Sequence, residues 1–72
     1  MDAKEFQKAA LAKLDEWYGS SPKEILHEWW DSGDTLYVIV HVKKKHIAYN
    51  EFIRIFSVGD EIMLSLDKVV EL

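Results

Sequence analysis

The chain contains no cysteine, and its three glycines lie far apart at positions 19, 33 and 59. Without cysteine, neither a disulfide framework nor a cysteine-ligated zinc ion can reinforce the core. Glycines so dispersed cannot form a glycine-rich loop that cradles a phosphate. The sequence therefore excludes two usual supports of very small domains and one usual nucleotide-binding motif.

Long apolar runs are also missing. No segment approaches the roughly 18 apolar residues that suggest a membrane span, and residues 1–11 lack the basic start and apolar stretch of a signal peptide. The net charge of −4 opposes generalised attraction to nucleic acid, because that attraction depends on Lys and Arg neutralising phosphates. We expect an acidic, cytoplasmic protein with no membrane contact.

Hydrophobic residues make up 49% of the chain and aromatic residues 12%. Disordered chains have low hydrophobicity and few aromatics, so this chain should fold. We expect residues 1–72 to form one small domain. Its core should be thin, because a chain of this length buries only about 60–65% of the surface that its unfolded form exposes.

The first segment has the signals of an amphipathic helix. Asp2 can cap it, and Glu5 three residues later completes a variant of the capping box. Gly19 supplies a stop, so we predict a helix over residues 3–18. The apolar side chains on one face of this helix are Phe6, Ala10, Leu11, Leu14, Trp17 and Tyr18.

A second helix is predicted over residues 22–31. Ser21 can cap it, Pro22 suits the first helical position, and Glu24 closes the box. At helical spacing, one face carries Ile25, Leu26, Trp29 and Trp30.

After Thr35 the pattern changes to the alternation of β-branched residues that is typical of strands. Gly59-Asp60 fits a two-residue hairpin turn, and a second such turn is predicted at Lys44-Lys45. The predicted strands cover residues 35–43, 47–58 and 61–66, and a turn at Asp67-Lys68 leads into a further short strand at 69–72. The fold class is therefore α+β, with two N-terminal helices packed on a three- or four-stranded antiparallel meander. A sheet of this kind can curl toward a small barrel.

The two turns place aliphatic side chains on one face of the sheet, and the helices should cover that face. Glu51 falls among them. Because a buried carboxylate is costly unless it is paired, we expect a bulge near Asn50-Glu51 that turns Glu51 outward. The predicted core residues of the sheet are Leu36, Val38, Val40, Val42, Ile47, Tyr49, Ile53, Ile55, Ile62, Leu64 and Leu66.

The opposite face of the sheet is only partly polar, whereas a face turned to water normally alternates toward polar residues. Either sheet curling or a helix covers it, or it binds a protein partner or a second copy. Of Trp29 and Trp30, one should anchor the second helix and the other should lie at a rim or an interface. The predicted partner-binding residues are Trp29, Trp30, Tyr37, His41, Phe52, Arg54, Phe56 and Met63.

A basic hairpin tip supports an alternative function, the binding of RNA or another single-stranded nucleic acid. Lysines at such a tip can contact phosphates, while the rings and guanidinium of the sheet stack on bases. Lysines at a hairpin tip also solubilise it and oppose edge-to-edge aggregation, which is the simpler explanation. The residues of this alternative are Lys43, Lys44, Lys45 and Arg54.

Catalytic and metal-binding signals are weak. His27 and Glu28 begin like the metalloprotease pattern of two histidines four residues apart around a glutamate, but Asp31 holds the second ligand position and no third ligand is suggested. No serine lies in a nucleophile-elbow pattern. We expect a protein that is not an enzyme and that uses no metal or cofactor.

Overall fold

The computed structural model describes residues 2–72, which form one helix followed by four strands. The strands pair in chain order as an antiparallel sheet, and the helix packs on one face of it. The predicted α+β class is thus confirmed, with one helix instead of two. The elements are α1 (Ala3–Tyr18), β1 (Lys23–Asp31), β2 (Thr35–Lys44), β3 (Ile47–Val58) and β4 (Glu61–Glu71).

Helix α1 has the predicted caps. The Asp2 carboxylate accepts a hydrogen bond from the Glu5 amide at 2.8 Å. At the other end Gly19 has a φ of 59°, a conformation that favours glycine, and its amide donates to the Asp15 carbonyl. The helix is too short and polar to cross a membrane, and no other helix lies in residues 2–72. Its buried stripe consists of Phe6, Ala10, Leu14 and Tyr18.

The second predicted helix is wrong, because residues 22–31 contain β1. This segment is too short for an isolated helix to be stable, so the partner it finds decides its conformation. Pairing with β2 gives its backbone a ladder on one side, interrupted at Leu26. The dipeptide Ser32-Gly33, with φ values of 55° and 75°, turns the chain into β2 instead of ending a helix.

Strand β4 is longer than predicted. It continues through residues 67–68, where we expected a turn, and includes the segment predicted as a separate last strand. Asp67 is the extra residue of a β-bulge, since Leu66 pairs with Ile53 and Lys68 pairs with Phe52. Within residues 2–72, β1 and β4 are the two edges of the sheet, so the sheet stays open and does not close into a small barrel.

The β2–β3 and β3–β4 hairpins test the strand registers that the two predicted turns imply. Around Gly59-Asp60 the register is as predicted, with Ile55 opposite Leu64. The turn between β2 and β3 lies one residue later than predicted, so that Val42 pairs with Tyr49. This changes each pairing by two positions, and the side chains other than Glu51 keep their predicted faces because faces alternate with a period of two.

The core lies between α1 and the centre of the sheet. Two predicted core residues, Ile47 and Leu66, are 41% and 40% exposed because a single helix cannot cover the whole face. Trp30, Ile62 and Leu64 pack at the margin of the core. The buried residues of the sheet are Leu36, Val38, Val40, Val42, Ile53 and Ile55.

Glu51 does not turn outward, so the bulge predicted near it is wrong. It pairs with Val40 in regular register and accepts a hydrogen bond of 2.7 Å from the Tyr18 hydroxyl at the end of α1. The helix therefore supplies the partner that this carboxylate needs. Burial, the hydrogen bond to Glu51 and the charge of Glu51 raise the pKa of Tyr18 above its ordinary value.

Candidate functional site

The candidate site is the face of the sheet opposite α1, which we call the open face. Its side chains come from alternate positions of the strands and form rows across the sheet. Neither sheet closure nor a helix covers this face within residues 2–72, so both intramolecular covers considered above are absent there. In order from β1 to β4, the tryptophan row is Trp29, Tyr37, Arg54 and Ser65, the histidine row is His27, Ile39, Phe52 and Lys68, and a third row is Asp31, Thr35, Phe56 and Met63.

The two neighbouring tryptophans lie on opposite faces, because successive side chains of a strand alternate. Trp30 packs edge-to-face on Phe6 with ring centroids 6.0 Å apart, and its Nε1 donates to the Glu28 carboxylate at 2.8 Å. Trp29 lies on the open face, 5.4 Å from the ring of Tyr37, and is 59% exposed. Trp30 therefore anchors β1 to the helix and does not join the other predicted site residues.

Cations of the open face lie above aromatic rings. The Arg54 guanidinium is 5.1 Å from the ring centroid of Phe56, and the Lys68 ammonium is 5.8 Å from that of Phe52. Arg54 Nε also lies 3.8 Å from Asp67, and it is shielded from solvent without a hydrogen bond to residues 2–72. These contacts hold the planar guanidinium of Arg54 and the apolar stem of Lys68 against the face.

A groove of about 350 Å³ crosses the strands along the histidine row. A bulge lies beside each end of this row, with Leu26 as the extra residue in β1 and Asp67 in β4. Bulges bend their strands, so both edges of the sheet bend next to the groove. The lining is mainly apolar and aromatic, and consists of His27, Trp29, Tyr37, Val38, Ile39, Phe52, Ile53, Asp67 and Lys68.

Most of the predicted partner-binding residues share the open face. His41 belongs to it as well, with its Nδ1 3.1 Å from the Asn50 side-chain oxygen on the neighbouring strand. The sequence interpretation missed His27 and Lys68, because it assigned them to a helix and a turn. His27, Trp29 and Asp31 stand at alternate positions, and this strand spacing was the signal that could have placed His27 on the same face as Trp29.

The residues of the nucleic-acid alternative are separated. Lys43, Lys44 and Lys45 are exposed at the hairpin tip between β2 and β3. Lys43 lies six positions along β2 from Tyr37, which is paired with Arg54, so the tip lies roughly 20 Å from the tryptophan row. A ligand would have to span that distance to contact both.

The partial metalloprotease pattern lies on a strand instead of a helix. His27 and Asp31 point to the same side, but four residues of extended chain place them roughly 13 Å apart. No three His, Asp or Glu side chains within the described range 2–72 are grouped so that they could hold a metal ion.

Comparison with known proteins informs the fold. No protein-family model matches the sequence, and no curated protein matches it significantly. The chain resembles the crystal structure of a de novo designed β-sheet protein with a cystatin fold, at a TM-score of 0.61 and 15% identity, covering 100% of this chain and 95% of the designed one. The chain therefore has a cystatin-like arrangement of one helix and a four-stranded antiparallel sheet.

Proposed function

We propose that this protein is a non-enzymatic interaction module that binds a second copy of itself through the open face. The observation that carries the proposal is an uncovered sheet face bearing Trp29, Tyr37, Phe52 and Arg54. Tryptophan, tyrosine and arginine are the residues enriched where interfaces gain most of their binding energy. A face meant only for water would carry polar side chains at these positions.

The size of the open face supports a second copy as the partner. The two longest extents of the molecule are 40 and 21 Å. The open face therefore projects at most roughly 800 Å², which is close to what each partner buries in an interface of standard size. A small domain with a thin core also gains stability from such a contact.

The edges of the sheet favour association through the face over strand pairing at an edge. Both edge strands carry a bulge, at Leu26 in β1 and at Asp67 in β4. Bulges and charged residues such as Lys68 interrupt the straight row of amides and carbonyls that a pairing strand needs. The open face is then the larger surface left for a second copy.

Matched tryptophan variants test this proposal by analytical ultracentrifugation. Trp29 on the open face is 59% exposed, and Trp17 on α1 is 51% exposed. We expect a dimer whose dissociation constant rises at least about 30-fold in Trp29→Glu, the effect of losing a hot-spot residue. Trp17→Glu should leave the constant unchanged. A wild-type chain that stays monomeric at millimolar concentration, or equal effects of the two variants, would contradict the proposal.

A specific observation also supports single-stranded nucleic acid as a second candidate ligand. Arg54 and Lys68 lie over the rings of Phe56 and Phe52, which combines stacking surfaces with positive charge. Fluorescence anisotropy with a labelled single-stranded RNA should then show affinity that falls steeply with salt and drops when Lys43, Lys44 and Lys45 are changed to Gln. Absence of binding at low salt would remove this candidate. The net charge of −4 and the distance of the lysine tip favour the first proposal.

A further inference from the structure

We infer that the two copies stack open face to open face about a two-fold axis parallel to the strands. This arrangement rests on the proposed function and specifies how the second copy binds. In a two-fold dimer the same patch of both copies forms the interface, so each contact occurs twice. For stacked sheets, the axis between them can run along the strands or across them. An axis along the strands places β1 over β4 of the second copy, whereas an axis across them places β1 over β1.

The two ends of the tryptophan row differ in bulk, which favours the axis along the strands. In the tryptophan row, the β1 end is the exposed indole of Trp29 and the β4 end is the small side chain of Ser65. An axis along the strands stacks the bulky end of one copy on the small end of the other. The two sheets then keep an even spacing, as the close packing of protein interfaces requires. An axis across the strands would stack bulky on bulky and small on small.

The middle of the tryptophan row is also complementary under this axis. Tyr37 of one copy lies over Arg54 of the second copy, and Arg54 lies over its Tyr37. A planar guanidinium stacks well on an aromatic ring, so the same favourable pair forms twice. In the histidine row, Ile39 lies over Phe52 of the second copy, which continues the apolar contact.

Charge at the β4 edge points the same way. Lys68 projects from this edge over Phe52. An axis across the strands would bring the Lys68 ammonium groups of both copies to one edge of the stack, where they repel. An axis along the strands places the two Lys68 residues on opposite edges of the stack, with their backbones roughly 14 Å apart across the sheet, which is three strand spacings. At that distance solvent and salt screen the repulsion.

Cross-linking between two single-cysteine variants tests the arrangement. The chain has no cysteine, so His27→Cys and Lys68→Cys each introduce one thiol at an exposed position. Stacked sheets lie about 10 Å apart, beyond the reach of a disulfide, so a short bismaleimide is the reagent. We expect a covalent dimer when the two variants are mixed, at a yield at least tenfold above that of either variant alone. Glu16→Cys on α1, mixed with Lys68→Cys, is the control and should not cross-link.

The outcomes separate this inference from the proposed function. A monomeric wild-type chain in the ultracentrifuge removes both. A dimer in which His27→Cys cross-links by itself as well as in the mixture shows the axis across the strands and overturns the inference alone. A dimer without the mixed cross-link overturns it too.

Exchanging the two residues at the ends of the tryptophan row gives a second test that needs no reagent. Trp29→Ser and Ser65→Trp should each raise the dissociation constant of the dimer roughly tenfold or more, because each removes the match of bulky and small ends. Combining them restores the match with the ends exchanged, so the double variant should bind at least tenfold more tightly than independent effects predict. Additive effects would overturn the inference.

Discussion

The two faces of the sheet differ in how they are covered. On the helix-facing side, Leu36, Val40 and Ile55 are fully buried beneath α1. On the open face, Trp29 and Tyr37 contact each other but no helix. One face thus holds the fold together, while the other leaves large rings available. This division predicts that substitutions on the helix-facing side act on stability, and those on the open face act on association.

A pair of phenylalanine variants should show this division with the largest effect. Phe6 on α1 is 1% exposed and packs against Trp30, whereas Phe52 is half-buried in the floor of the groove. Phe6→Ala should lower the free energy of unfolding by about 3–5 kcal/mol, enough to unfold much of so small a protein. Phe52→Ala should lower that of the monomer by only about 1 kcal/mol. Urea denaturation in dilute solution measures both, and similar losses would show that the faces do not differ.

The adjacent tryptophans give a sharper comparison because they have the same chemistry and neighbouring positions. Trp30→Ala removes the contact with Phe6 and should destabilise the monomer by about 2–3 kcal/mol. Trp29→Ala should cost the monomer less than about 1 kcal/mol, because its ring is mostly exposed. Thermal unfolding followed by circular dichroism would check the order. A larger loss of stability for Trp29→Ala than for Trp30→Ala would show that the two rings lie on the opposite faces from those described.

Local signals were sufficient to predict some elements of this fold. The Asp2 cap and the Gly59-Asp60 turn act over a few residues, so α1 and the register of β3 with β4 followed from them. The bulge at Leu26 explains why β1 was predicted as a helix. It interrupts the alternation that reveals a strand, so the spacing of Ile25, Leu26, Trp29 and Trp30 after the start signal at Ser21-Pro22 favoured a helix.

Two other features depended on contacts that are remote in sequence. The bulge at Asp67 lies within β4, at a pair of polar residues that resembled a turn. The partner of Glu51 is Tyr18, which is 33 residues away in sequence. Alternation placed Glu51 on the helix-facing side, but no periodicity reveals its partner, so a bulge that turns it outward was expected instead. The open face was predicted on β2, on β3 and at Met63 of β4, while its β1 edge and Lys68 beyond the bulge required the observed pairing.

The Tyr18–Glu51 hydrogen bond offers a smaller effect on the helix-facing side. Tyr18→Phe leaves the Glu51 carboxylate without its 2.7 Å donor, which should lower the free energy of unfolding by about 1–2 kcal/mol. Adding Glu51→Gln should recover part of the loss, because a neutral amide is less costly to leave unpaired. Urea denaturation at pH 7 compares the three chains. An unchanged stability in Tyr18→Phe would show that water satisfies Glu51 equally well.

The smallest predicted effect is a loss of stability in alkali that depends on Tyr18. Burial and Glu51 raise the pKa of Tyr18 in the folded chain, whereas an unfolded tyrosine titrates near pH 10. Below pH 10 both states keep the proton, and the contribution of Tyr18 is fully present. Above pH 10 the unfolded chain releases it first, so stability falls as pH rises. By pH 10.5 the loss attributable to Tyr18 is at most about 0.8 kcal/mol.

Urea denaturation between pH 9 and pH 10.5 should therefore show a steeper decline in the free energy of unfolding for the wild-type chain than for Tyr18→Phe, whose other titrating groups are the same. Equal slopes would mean that Tyr18 ionises as easily in the folded chain as in the unfolded one, and that the helix-facing side is open to water at this end.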